Sequence, residues 1–130
     1  MGDEGRFYRA LQLAGNFERL KIKFNIIHPN SYKYYLEVDN SAQKGAVLFI
    51  FEGKASKEEE AREQLKQRYL SCTKHRSEYL RGGLFKPYSV IRLFFYSFNK
   101  HALIEFTPQG GRNAVKFSDL NELSVILRNL

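Results

Sequence analysis

The sequence predicts an α+β domain, α/β in its layering, with a mixed central sheet of about five strands and helices on both faces. Three observations predict it. The 130 residues are one domain's worth of chain, with no internal linker, repeat or low-complexity segment between residues 1 and 130. Apolar residues recur at helical or at strand spacing in the order α-β-β-β-α-β-β-α. The run Ala46-Val47-Leu48-Phe49-Ile50-Phe51 has no polar alternation, the pattern of a strand covered on both faces, so something packs on each side of the sheet.

The elements follow in order. Phe7, Ala10, Leu11 and Ala14 make the apolar stripe of a helix over residues 6–14, which Gly15-Asn16 ends. Leu20, Ile22, Phe24 and Ile26 alternate with polar residues as a half-buried strand, Pro29-Asn30-Ser31 breaks it, and residues 32–38 form a second strand. Residues 39–45 supply a turn before the apolar third strand. Ser56 with Glu59 reads as a capping box, opening a helix that runs to about Leu80 with Ala61, Leu65, Tyr69 and Cys72 on its buried face. Gly82-Gly83 and Pro87 punctuate the chain, residues 90–98 and 102–106 form strands about a turn at Asn99-Lys100-His101, and Gly110-Gly111 marks a loop. Gly110-Gly111-Arg112 lacks the spacing of a phosphate loop. Ser118 caps a closing helix with Leu120, Leu123, Ile126, Leu127 and Leu130 on one stripe.

Composition narrows the function classes. At 43% hydrophobic, 27% charged and three prolines, the chain buries enough apolar surface to fold. No run approaches the ~18–20 apolar residues that span a bilayer, and Met-Gly-Asp-Glu-Gly does not open a secretory signal. One cysteine, Cys72, and the scattered His28, His75 and His101 give neither a disulfide nor a structural zinc site. The expectation is an intracellular protein of cytoplasm or nucleus, without a membrane partner, with surface histidines and a buried, inert Cys72.

The formal charge is +7. Residues 66–92 carry Lys66, Arg68, Lys74, Arg76, Arg81, Lys86 and Arg92 against Glu78 alone, a net +6 that holds nearly the whole excess. Tyr69, Tyr79, Phe85 and Tyr88 are interleaved. Cations for phosphate and ring faces for unpaired bases are what a nucleic-acid surface needs, so Lys66, Arg68, Tyr69, Lys74, Arg76, Arg81 and Lys86 are the candidate contacts; a solvated basic helix face is the plainer alternative.

The most apolar strand ends in Glu52-Gly53-Lys54, an acid and an ammonium two residues apart and therefore on one face. With a hairpin partner before it and an amphipathic helix carrying Gln64, Gln67 and Tyr69 after it, this resembles the PD-(D/E)xK nuclease superfamily. The resemblance covers roughly residues 29 to 70 in order of elements and a few positions in identity. It implies Glu52 as a magnesium ligand, Lys54 as the catalytic lysine that orients the attacking water, and Gln64 as the helix glutamine; Gln64 with Tyr69 follows loosely the Gln-to-Tyr motif of one branch. The reaction implied is Mg2+-dependent phosphodiester hydrolysis, in which hard oxygen ligands hold the metal against the scissile phosphate. The family's Pro-Asp reads Pro29-Asn30 here. If Val38 pairs near Val47, Glu52 faces the neighbourhood of Lys33, and Asp39 is at the wrong end of the hairpin, roughly 20 Å away at ~3.4 Å per residue. Glu37 after a register slip, or Glu18, are the other acids in reach. The resemblance thus implies a nuclease-like domain that binds DNA or RNA with catalysis weakened or lost.

Two other classes compete. Gly53-Lys54-Ala55-Ser56 before Glu58, Glu59, Glu60 and Ala61 looks like the start of the second helix of a double-stranded-RNA-binding domain, but acids stand where phosphate-binding cations belong. Eight tyrosines and eleven phenylalanines also suit a protein-interaction subunit or homodimer, with Phe94, Phe95, Phe98 and Phe106 assigned to the core.

Overall fold

Because successive strand side chains point to opposite faces, the unbroken apolar run of β3 (Val47–Glu52) feeds two hydrophobic clusters at once. Leu48 and Ile50 enter one cluster, Phe49 and Phe51 the other. The computed structural model describes residues 2–15, 18–19, 41–53, 57–82 and 85–130. The expected strands over residues 20–26 and 32–38 lie outside them.

Before β3 come α1 (Asp3–Ala14), β1 (Glu18–Arg19) and β2 (Ser41–Lys44); after it come α2 (Glu58–Lys74), α3 (Arg76–Arg81), β4 (Val90–Ser97), β5 (Ala102–Phe106), β6 (Arg112–Lys116) and α4 (Leu120–Arg128). The α+β class and the helices on both faces are as the sequence predicts. Among the described residues the sheet has six strands in sequence order, where about five were expected of the whole chain. Only β3 and β4 run parallel among these neighbours, and a parallel pair needs a crossover. Helices α2 and α3 supply it, packing Ala61, Leu65, Cys72 and Tyr79 on one face. The other face is covered by α1 and α4, through Phe7, Ala10, Ala14, Leu123 and Leu127. Arg128 ties those two helices: its guanidinium donates to the carbonyls of Ala14 (3.1 Å) and Leu13 (3.0 Å), acceptors the end of α1 leaves open. Among the described residues no helix is long and apolar enough to cross a membrane.

Several expectations are corrected. The turn before β3 is only Gly45-Ala46, with Gly45 at φ 59 where a two-residue hairpin favours glycine, and Ser41–Lys44 is a strand. Gln43 goes inside because it is satisfied there: its side-chain amide donates to the Lys86 carbonyl and accepts from the Lys86 N–H, both at 3.0 Å. The hairpin register pairs Lys44, not Val38, with Val47. The long helix breaks at His75 (φ −110, ψ 24), beside the point where the Cys72 carbonyl accepts the Tyr88 hydroxyl at 2.6 Å. His75 is buried rather than at the surface, its Nδ1 3.2 Å from Glu78.

The caps differ as well. Lys57, without a side-chain cap, starts α2, whose first-turn Glu58, Glu59 and Glu60 complement the helix dipole; Ser56 lies outside the described residues. Asp119 rather than Ser118 caps α4, its carboxylate accepting the Glu122 N–H at 2.8 Å, while the Ser118 hydroxyl donates to the Glu122 carboxylate at 2.9 Å.

Candidate functional site

Glu52 ends β3 on the side of the sheet that α2 covers, in step with Leu48 and Ile50. Its side chain is 2% exposed and its Oε2 lies 2.8 Å from Arg68 Nη1. The same nitrogen donates to the Phe51 carbonyl at 3.4 Å. Arg68, expected to meet nucleic acid, is instead turned inward, because a buried carboxylate needs a charge partner and the middle of α2 provides one. Gln64 precedes Arg68 by one turn on the same flank and is half-buried. The structure therefore brings Glu52 and Arg68 together, with Gln64 one helical turn before Arg68. Lys54, Asn30, Glu37 and Asp39 lie outside the described residues, as does the side chain of Glu18.

Gly53 is required here. A Cβ at this position would fall 2.0 Å from carbons of the Tyr96 ring, and that ring is itself stacked on Phe7 at 4.0 Å between centroids. The ring has no room to yield, so Gly53→Ala is expected to cost about 1–3 kcal/mol, the range for overpacking, as a lowered urea midpoint. An unchanged midpoint would show that the ring moves freely.

As a magnesium site the described residues do not fit. The charge beside Glu52 is already a guanidinium, and among the described residues no group of three His, Cys, Asp or Glu side chains can hold a metal ion. The register from which Asp39 was set roughly 20 Å from Glu52 is not the one observed, since Lys44 rather than Val38 stands opposite Val47; Asp39 itself lies outside the described residues.

The basic stretch divides in two. Lys66, Lys74, Arg76, Arg81 and Lys86 are exposed. Arg92 is spent on Glu105, two hydrogen bonds of 2.8 Å each, and lies over the Phe49 and Phe94 rings on the opposite face of the sheet. Tyr79, Phe85 and Tyr88, read as candidate ring faces, are core: they meet edge to face at 5.8 and 5.9 Å under α3. Tyr69 differs, being half-buried beside a cleft of about 430 Å3 that runs between α2, α3 and the start of β4. The helices contribute Tyr69, Thr73 and Arg76 to it, and the far wall is Tyr88, Val90 and Pro108. Nothing in the hydrophobic pattern announced the cleft, since Pro108 reaches it from a loop beyond β5.

Cys72 lies at the base of this cleft. Burial pushes its thiol up to about 12 from an ordinary value near 9, so it stays neutral. The native thiol is expected to resist alkylation at mildly alkaline pH and to react once urea opens the fold. The linked stability is full below about 9 and is lost as pH rises through about 12, because only the unfolded chain releases this proton between those values. Cys72→Ala should remove that part of the alkaline loss; an alkaline limb identical to wild type would refute the assignment.

No known family, curated protein or solved structure matches the chain.

Proposed function

We propose that the chain is a nucleic-acid-binding domain on a nuclease-like frame. The observation that carries this reading is the set of exposed cations Lys66, Lys74, Arg76, Arg81 and Lys86 on and after α2, of which Arg76 lines a cleft together with Tyr69 and Tyr88. Resemblance to the PD-(D/E)xK superfamily is supported by a hairpin, a buried strand ending in Glu52 and a helix packed over it, in that order. Magnesium-dependent hydrolysis is the second part of the proposal and carries a condition: Arg68 must release Glu52 to the metal, with Lys54 as the lysine. Double-stranded RNA gripped by the start of α2 is disfavoured, since Glu58 there is committed to Arg112 at 2.7 and 2.9 Å.

Anisotropy of labelled single-stranded and duplex DNA and RNA, titrated against salt, tests binding. Affinity should fall steeply with salt, with a slope of about −0.7 per single-strand phosphate contacted. Reversing Lys74 and Arg81 to Glu should weaken binding at least tenfold. No affinity at low salt would overturn the reading in favour of a protein-interaction module. For the hydrolytic part, Mg2+-dependent cleavage should be lost in Glu52→Gln; equal cleavage in wild type and Glu52→Gln would end the role of Glu52.

A further inference from the structure

We propose that the cleft beside Tyr69 is a subsite for one unpaired nucleobase, with the flanking phosphates held by Lys66 on one side and Arg76 on the other. This rests on the nucleic-acid reading above and deepens it by naming the substrate class, a single strand. A cleft of about 430 Å3 falls in the size range of sites that take small planar ligands. Its walls are of the right kind: the half-buried Tyr69 ring, Val90, Ile91 and Pro108 are apolar, while Thr73 and Ser89 place hydroxyls at its edge and no acidic residue lines it. Val90 is 47% exposed, an apolar side chain left in water at the rim.

The cations are placed by helix geometry. Lys66, Tyr69 and Thr73 are three and four residues apart, so they share one flank of α2, with Lys66 one turn ahead of Tyr69. Beyond the break at His75, Arg76 closes the other end of the cleft, its guanidinium 5.2 Å from the centre of the Tyr88 ring. Arg76 in the lining and Lys66 one helical turn before Tyr69 set a cation to either side of an apolar-walled cleft, as a backbone that carries one base between two phosphates requires. A base paired within a duplex keeps its faces in the stack and cannot enter, whereas a single strand presents them. Glu52 and Arg68 lie on the other flank of α2, so this subsite is separate from any chemistry at β3.

The test uses the full chain with oligothymidylate and oligouridylate carrying one fluorescent base analogue. Val90→Trp fills the cleft from an exposed position, and Tyr69→Ala removes its stacking wall. Each is expected to weaken single-strand binding about tenfold, to abolish quenching of the analogue, and to leave duplex binding and the thermal midpoint of Val90→Trp unchanged. Single-strand affinity and quenching equal to wild type in Val90→Trp would overturn the subsite. If Lys74 and Arg81 reversal still weakened binding in that case, the nucleic-acid reading would stand without it. Absence of any salt-dependent binding by wild type would overturn both.

Discussion

Arg68→Ala is expected to lower the unfolding free energy by about 3 kcal/mol, the low end for breaking a buried ion pair, because the guanidinium keeps 17% exposure while the carboxylate keeps 2%. The loss comes less from the attraction removed than from the charge left behind, a Glu52 carboxylate enclosed by β3 and α2 with its guanidinium partner gone. The control is the double replacement Glu52→Gln with Arg68→Met, which removes both charges and should recover much of the stability. Urea unfolding of the three proteins measures it. A single variant as stable as wild type would show that Arg68 does not carry the charge of Glu52, and would reopen Arg68 as a surface contact. The same variant separates structure from binding: weaker nucleic-acid affinity in a protein that remains folded would mean that Arg68 leaves Glu52 for phosphate.

The second large effect concerns α1. Phe7→Ala is expected to cost about 3–5 kcal/mol, the range for deleting a buried aromatic side chain. Phe7 is 1% exposed, stacks on Tyr96 at 4.0 Å and meets Phe51 at 4.7 Å, so one ring joins α1 to β3 and β4 together. Leu13→Ala on the solvent side of the same helix should change stability by no more than about 0.5 kcal/mol, which separates anchoring from helix propensity. Loss of helical circular dichroism equal to one short helix, below the global transition of Phe7→Ala, would show α1 opening by itself; equal costs at Phe7 and Leu13 would refute the anchoring role.

The parts of the fold legible in the sequence were those whose burial is periodic. β3, β4 and β5 were visible because both faces of each are covered, and α1, α2 and α4 because one stripe of each is. β2 was hidden by Ser41 and Gln43, polar residues on its buried side, and Gln43 is satisfied there by the Lys86 backbone, more than forty positions away in the chain. β6 was hidden for the opposite reason: all five of its residues are exposed, so burial writes no period into Arg112-Asn113-Ala114-Val115-Lys116. The break at His75 coincides with a hydrogen bond from Tyr88, a residue of another segment, to the Cys72 carbonyl, a partner that the local sequence does not reveal.

For the site, the position of Glu52 was legible and its partner nearly so. Residues 61, 65, 68 and 72 are spaced four, three and four apart, which sets Arg68 in the middle of the buried stripe of α2. A carboxylate continuing an apolar strand asks for such a cation. Net charge pointed outward instead, and counted Arg68 and Arg92 with the exposed cations although each is bound to a carboxylate.

The fully exposed β6 has one more implication, for solubility. Among the described residues it closes one side of the sheet in the strand order, with backbone donors and acceptors on its outer side that a foreign strand could capture. Arg112, held by Glu58, and Lys116 bracket Ala114 and Val115, so two copies meeting antiparallel and centred there would set the Lys116 of each against the Arg112–Glu58 pair of the other, a charged and hydrated rim rather than an apolar one. Exchanging both cations for threonine would turn a guarded rim into an adhesive one, and self-association would then grow with concentration while the interior remained as it is.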